Sequence, residues 1–316
     1  MEAINSSSFF HYRSKKEDFY KIIKNGFSYR YSFEPLGAIF ANSNKQGDPS
    51  QLNSNEANEP FTKKRVMKGI AMPMVCFCDI PLLRATKHRN NYGNFCIGVD
   101  KELMIKRFSS IINPIFYVSS EDIKQGFEGL VALKRELQLT NNDLKKIDDI
   151  SKGITDFNEL LSLMKKPEVQ AILNKWEQYF KVYFGLMQFM ALCKTYTGKN
   201  YKGEDICFYD EREWRVFFYD FAPFNWVYDT TANDFEAERE MKNKELEKNK
   251  LLQFCIKSDD IGKIISHIIV PTDDDILEII NFITNSKTIF GHIVLNETKQ
   301  LIISRVTSFE RIEKDF

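Results

Sequence analysis

Histidine is scarce in this chain: His11, His88, His267 and His292 are the four present in 316 residues. Net charge is missing as well, with 44 Lys+Arg set against 44 Asp+Glu. That balance removes a whole-molecule electrostatic case for nucleic acid or a membrane surface and leaves only local basic patches. No apolar run approaches the ~18 residues of a membrane span, so no membrane partner is expected. The opening MEAINSSSFFHYRSKKE lacks the basic start and long apolar stretch of a secretory leader. The six cysteines (Cys76, Cys78, Cys96, Cys193, Cys207 and Cys255) are scattered and suggest no disulfide framework. Cys76 and Cys78 would share one face of a strand, but no second tight Cys/His pair accompanies them. Packed free thiols in a reducing cytoplasm are therefore expected, and no metal. No Ser or Cys lies in a nucleophile-elbow context, which argues against a hydrolase triad. Internal repeats are also lacking.

What is present is a globular composition, 43% hydrophobic and 28% charged, with 27 phenylalanines to build a sizeable core. In SSFFHYRSKKEDFYKIIKNGF, His11 ends a short apolar run just before a helix. Ser14 reads as the N-cap with Glu17 completing a capping box. Phe19, Ile22 and Ile23 recur at helical spacing, and Asn25-Gly26 is the stop signal. His11 is thus expected at a strand–helix junction, as a ligand-binding residue or a packed edge histidine. Residues 41–64 are polar and read as a mobile loop. GIAMPMVCFCDIPL reads as a buried strand broken by Pro73, followed by a short helix or loop closing at Tyr92-Gly93. NFCIGVD is a strand, KELMIKRF a helix and NPIFYVSS another strand.

Residues 121–205 read as a helical insertion, with Pro167 opening a long helix whose apolar face runs from Val169 to Met190. Residues 232–250 are charged throughout and read as a solvated helix or flexible excursion. Asp273, Asp274 and Asp275 suit the first turn of an amphipathic helix. IVLNETKQLIISRVTSF reads as a terminal β-pair turning near Asn296. His267 reads as a core-edge histidine, and His292 has no visible partner. The basic clusters around His88 and at 62–69 read as solvated surface in preference to a nucleic-acid interface.

The densest chemical candidate is FYDEREWRVFFYD, residues 208–220. Period-2 alternation puts Glu211, Glu213 and Arg215 on one side of the chain. Two carboxylates then stand at the start of a buried strand, where a cleft can desolvate one of them. The structural alternative is that Glu213 and Arg215 neutralise one another at a strand end, since ion pairs also gather at such edges.

The phrases FFHYRS…IIKNGF, VCFCDIPLLRATKHRNNYGNFCIGVDKEL, NPIFYV and YDEREWRVF resemble the AbiGi-type abortive-infection proteins of bacterial phage defence. The resemblance spans most of 1–120 and resumes at 206–220. More distantly, the same pattern resembles ADP-ribosyltransferases of the diphtheria-toxin, poly(ADP-ribose) polymerase and DarT kinds. Those place a histidine on the first strand and a catalytic glutamate at the start of a late one. This second resemblance implies a split, mostly antiparallel α+β sheet carrying the helical insertion, as one domain over 1–316. It implies NAD as substrate, Glu213 as catalytic carboxylate and Glu211 as its acceptor-positioning partner. It further implies His11, Tyr12 and Arg13 along the cofactor, Tyr92 on the nicotinamide, and Arg13, Arg30 or Arg215 at the pyrophosphate. Tyr12 stands where polymerase-type members commonly have glycine. The reading that follows first is a phage-defence toxin that moves ADP-ribose from NAD to a nucleic-acid or protein acceptor. The alternatives are a non-catalytic antitoxin or regulatory module that binds a cognate protein, and an NAD glycohydrolase.

Overall fold

The computed structural model describes residues 6–35, 67–123, 125–126, 129, 149, 157–199, 204–217, 227–230, 234–248 and 253–315. The expected loop at 41–64 and most of the segment before Phe157 lie outside them. Among the described residues, nine strands form a mixed, mostly antiparallel sheet. Seven of them follow the order 306–308, 265–270, 95–100, 8–13, 67–78, 213–217 and 112–114. In that sheet the parallel pair is Ile265–Val270 with Val306–Ser308.

The first strand, Ser8–Arg13, pairs residue for residue with Phe95–Asp100. It is buried on both faces, as its unbroken apolar stretch requires. Phe9 packs against Phe77 and Trp214 on one face, while Phe10 and Tyr12 belong to a separate cluster with Cys78, Cys96 and Phe309 on the other. Helix Lys16–Asn25 covers the first face with Phe19, Ile22 and Ile23, and ends at Gly26, whose φ is +88°. Ser14 does not cap it: Lys15 holds the capping position without a side-chain hydrogen bond. A Cβ at Gly93 would lie 2.3 Å from Arg13 O and Ser14 Cα, so residues 13 and 14 run directly against the Gly93 backbone.

The strand Met67–Cys78 is continuous through Pro73. On one edge it pairs with Glu213–Phe217 from Cys78 to Met74 and with Val227–Thr230 from Ala71 back to Met67. Pro73 is paired with Tyr31 on the other edge, and among the described residues, Met72 and Pro73 have no register partner on this one. The expected single strand at 113–120 is two short ones, Ile112–Pro114 and Phe116–Val118.

Helix Pro167–Ala191 packs Met187 and Ala191 onto Ile70, Met72, Met74 and Phe217. The insertion is not helical throughout, because Cys193–Thr195 pairs in parallel with Phe116–Val118, and Thr197–Lys199 pairs with Asp205–Cys207. Within 232–250, Phe235–Lys248 is a helix that docks through Phe235 and Leu246, and its Asn243 side chain accepts from the Tyr31 amide at 2.9 Å. The segment Asn296–Ile303 is a helix, not the arm of a β-pair. Val306–Ser308 returns parallel to its neighbour, and a parallel return needs a crossover, which the helices 274–285 and 296–303 supply.

Candidate functional site

On its other edge the long strand has two partners with a gap between them. The first strand is registered with it at Phe10↔Cys78, and Arg30–Pro35 joins only from Met74 onward. His11 bridges this opening: its Nδ1 lies 2.7 Å from the carbonyl oxygen of Cys76. A carbonyl can only accept, so Nδ1 carries the proton and Nε2 of the neutral ring is an acceptor. Burial, with help from Arg13, lowers the imidazole to about 3, against the opposing pull of the Cys76 carbonyl. The ring is 6% exposed, and its Nε2 has no hydrogen-bond partner among the described residues.

The two glutamates reach the site by different routes. Glu213 opens its strand and faces the same way as Arg215, as alternation predicts. Glu211 lies on a 3-10 turn, Phe208–Glu211, and Arg212 then turns the chain in a left-handed conformation with φ +43°. The expected alternation therefore starts only at Glu213. Lys194 reunites them, donating to Glu211 Oε2 at 2.8 Å and to Glu213 Oε2 at 2.9 Å. Arg215 donates to Glu213 Oε1 at 2.7 Å, to Glu34 Oε1 at 2.6 Å and to the carbonyl of Ala191 at 2.7 Å. The last contact satisfies a carbonyl at the C-terminal end of the long helix, where a cation is favoured. Tyr92 donates its hydroxyl to the remaining Glu211 oxygen at 2.6 Å.

Every oxygen of these two carboxylates is thus engaged. Burial alone would raise Glu213, but Arg215 and Lys194 outweigh it and hold the carboxyl well below its ordinary range. Glu211 behaves oppositely: burial and the neighbouring Glu213 raise it, against the pull of Lys194. For Lys194, burial works against the charge, and Glu213, Glu34 and Glu211 together keep the ammonium well above its usual range.

These side chains border a cavity of about 280 Å³ lined by His11, Tyr12, Arg13, Tyr92, Glu211 and Glu213 among others. An open groove of about 710 Å³ adjoins it, and the two share His88 and Glu211. Glu211 and His88 therefore form the partition between an inner and an outer compartment. His88 packs on Tyr92 at 4.5 Å and on Tyr12 at 4.8 Å between ring centroids.

Six of the residues singled out in the sequence meet here: Glu213, Glu211, His11, Tyr12, Arg13 and Tyr92. Arg215 is fully buried beneath the cavity and held by its protein partners, and it is not among the lining residues. Arg30 is outside, 3.9 Å from Asp18 and 4.0 Å from Glu247. Lys194, Glu34 and the packing of His88 at the site were not among the features expected from the sequence. A lone lysine in FMALCKTY was the available signal for the first. His88 is half-buried against aromatic rings, not solvated. His292 also has a partner, with its Nε2 3.3 Å from Cys255 Sγ. Among the described residues no group of three or more His, Cys, Asp or Glu could hold a metal, and no helix is long and apolar enough to cross a membrane.

Comparison with known proteins places this architecture in a family. The model of the family described as "Putative abortive phage resistance protein AbiGi, antitoxin" matches residues 52–267. The "Abortive phage resistance protein AbiGi" of Lactococcus lactis subsp. cremoris is 25% identical over 260 residues, covering 79% of this chain and 91% of that protein. No solved structure matches. The family match takes in the long central strand, the helical insertion and both glutamates of the site. The chain belongs to the AbiGi family of abortive phage resistance proteins.

Proposed function

We propose that this protein is the antitoxin half of an abortive-infection pair and acts by binding a cognate protein, without transferring ADP-ribose. The observation that carries this reading is the occupancy of Glu213: Lys194 and Arg215 hold both of its oxygens, at 2.9 and 2.7 Å. Cleaving the nicotinamide–ribose bond of NAD builds positive charge at the anomeric carbon, and an uncompensated carboxylate must stabilise it. Here the carboxylate is already neutralised, and the Lys194 ammonium stands beside it as a like charge to the developing cation. The family description, which names an antitoxin, points the same way. Co-expression with the cognate partner tests it: the pair should co-elute as a complex, and this chain should restore growth that the partner alone suppresses. Failure to bind or to protect would overturn the reading.

A second reading is NAD-dependent ADP-ribose transfer or NAD hydrolysis in the cavity. It is favoured by one observation, that His11 and Glu213 line the same space at the opening of the sheet. The residues partly fit the dinucleotide: His11 offers Nε2 to a ribose hydroxyl, Tyr92 offers a ring to nicotinamide, and Arg13 offers a guanidinium to pyrophosphate. Transfer to a macromolecule would require Lys194 to leave Glu213 when the substrate enters. Labelled NAD incubated with wild type and Glu213→Gln separates the two readings: transfer predicts a labelled macromolecule, hydrolysis predicts released nicotinamide and free ADP-ribose, and the variant abolishes either.

A further inference from the structure

We infer that Cys255 is a nucleophilic thiol, activated by His292, that exchanges with small disulfides and so carries a modification site remote from the cavity. Cys255 follows the short strand Gln253–Phe254, and its side chain is exposed, whereas the other five cysteines are buried or half-buried. Its Sγ lies 3.3 Å from His292 Nε2, within hydrogen-bond reach for sulfur. A nucleophile and a base at that separation form the minimal unit of thiol activation. Burial raises the thiols of Cys76, Cys78, Cys96 and Cys193, which disfavours their thiolate forms.

The base is held by an unusually constrained turn. Ile289 and His292 exchange backbone hydrogen bonds at 2.8 and 3.1 Å, while the amides of Phe290 and Gly291 donate to the carbonyls of Ile23 and Lys24. Phe290 has a φ of +48°, a conformation that a bulky side chain adopts only when its surroundings over-determine it. Its ring is buried beside Phe27, which fixes the turn from inside. The imidazole is therefore presented to the thiol from a rigid support two residues from a buried anchor.

The exchange balances without any further reagent. The Cys255 proton passes to His292 Nε2 as the sulfur attacks one sulfur of a small disulfide. A new S–S bond forms to Cys255, the old one breaks, and the departing thiolate takes the proton from the imidazolium. The ligand class is a low-molecular-weight disulfide, which is itself the oxidant.

The test uses the folded full chain and a chromogenic aromatic disulfide, dithiobis(nitrobenzoate), at fixed near-neutral pH. A fast phase should release chromophore from a single thiol and vanish in Cys255→Ser. His292→Gln keeps a hydrogen-bonding side chain but cannot take the proton, and should slow that phase at least about tenfold. Added imidazole should restore the rate in His292→Ala and leave wild type unchanged. A fast phase that survives Cys255→Ser, or runs at the wild-type rate in His292→Gln, overturns the proposal. So does His292→Ala that is slow yet unmoved by imidazole, since that marks a purely structural contact.

Discussion

Lys194 decides how the two glutamates of the site behave. It is 8% exposed and joins carboxylates that lie seventeen and nineteen positions away in the chain. Replacing it by methionine keeps the bulk and leaves two buried carboxylates with one cation fewer. Removing one partner of a buried ion pair costs about 3–5 kcal/mol, so Lys194→Met should lose stability on that scale in denaturant unfolding. The sign for Glu213 follows from its depressed carboxyl. Its stabilising share is complete above the unfolded-state value near ~4.3 and is lost only as pH falls through the lower folded value. His11 acts over a different window. Its folded value is about 3 against 6.5 for the free ring, so the unfolded chain binds the extra proton and stability declines as pH drops from 6.5 toward 3. The slope is about 1.4 kcal/mol per pH unit, or about 2 kcal/mol between about pH 7.5 and about pH 5. His11→Asn, which cannot be protonated, should show a correspondingly smaller decline in unfolding free energy between those conditions. Glu213, Arg215 and His11 were legible in the sequence because strand alternation and a strand edge assign them places. Lys194 was not, because the strand pair 197–199 and 205–207 and a 3-10 turn carry the chain from it to Glu211, with the left-handed Arg212 before Glu213, and no local period spans such a path.

At the scale of elements, close backbone approach sets what can be changed. Gly93 has φ +108°, and a Cβ there would meet the backbone of Arg13 and Ser14 at 2.3 Å. Gly93→Ala should therefore destabilise by at least about 2 kcal/mol, since backbone has nowhere to move and the conformation is strained for any L side chain. Gly185 sits in the long helix Pro167–Ala191, and its added Cβ would touch nothing within 4 Å. Gly185→Ala should stabilise by about 0.5–1 kcal/mol through helix propensity. Thermal unfolding of the two variants beside wild type checks both signs at once. Helix 16–25 was readable from apolar spacing and a glycine stop, and helix 167–191 from apolar spacing and a leading proline. The helix 296–303 was not, because Leu301, Ile302 and Ile303 read as strand locally. What overrides them is the parallel return to Val306–Ser308, a non-local demand that no window of sequence expresses.

For the whole molecule, the α+β class and the mostly antiparallel sheet were expected from the resemblance, since alternating strands and helices alone do not fix strand direction. The opening between the first strand and the long central one was not, because it depends on where two partners stop along one edge of Met67–Cys78. That opening creates the cavity, and the ions around it determine how it is used. A cleft between His11 and Glu213 with a free carboxylate would suit NAD chemistry. In this structure Glu213 is held by Lys194 and Arg215, and the proposed antitoxin role rests on that contact. Expression toxicity read together with labelled NAD in lysate, for wild type and Glu213→Gln, separates these most directly. Wild type alone should be harmless and leave no ADP-ribose label on any macromolecule, and both proteins should behave alike. A wild type that is toxic and labels a macromolecule, with both effects lost in Glu213→Gln, would contradict the antitoxin role.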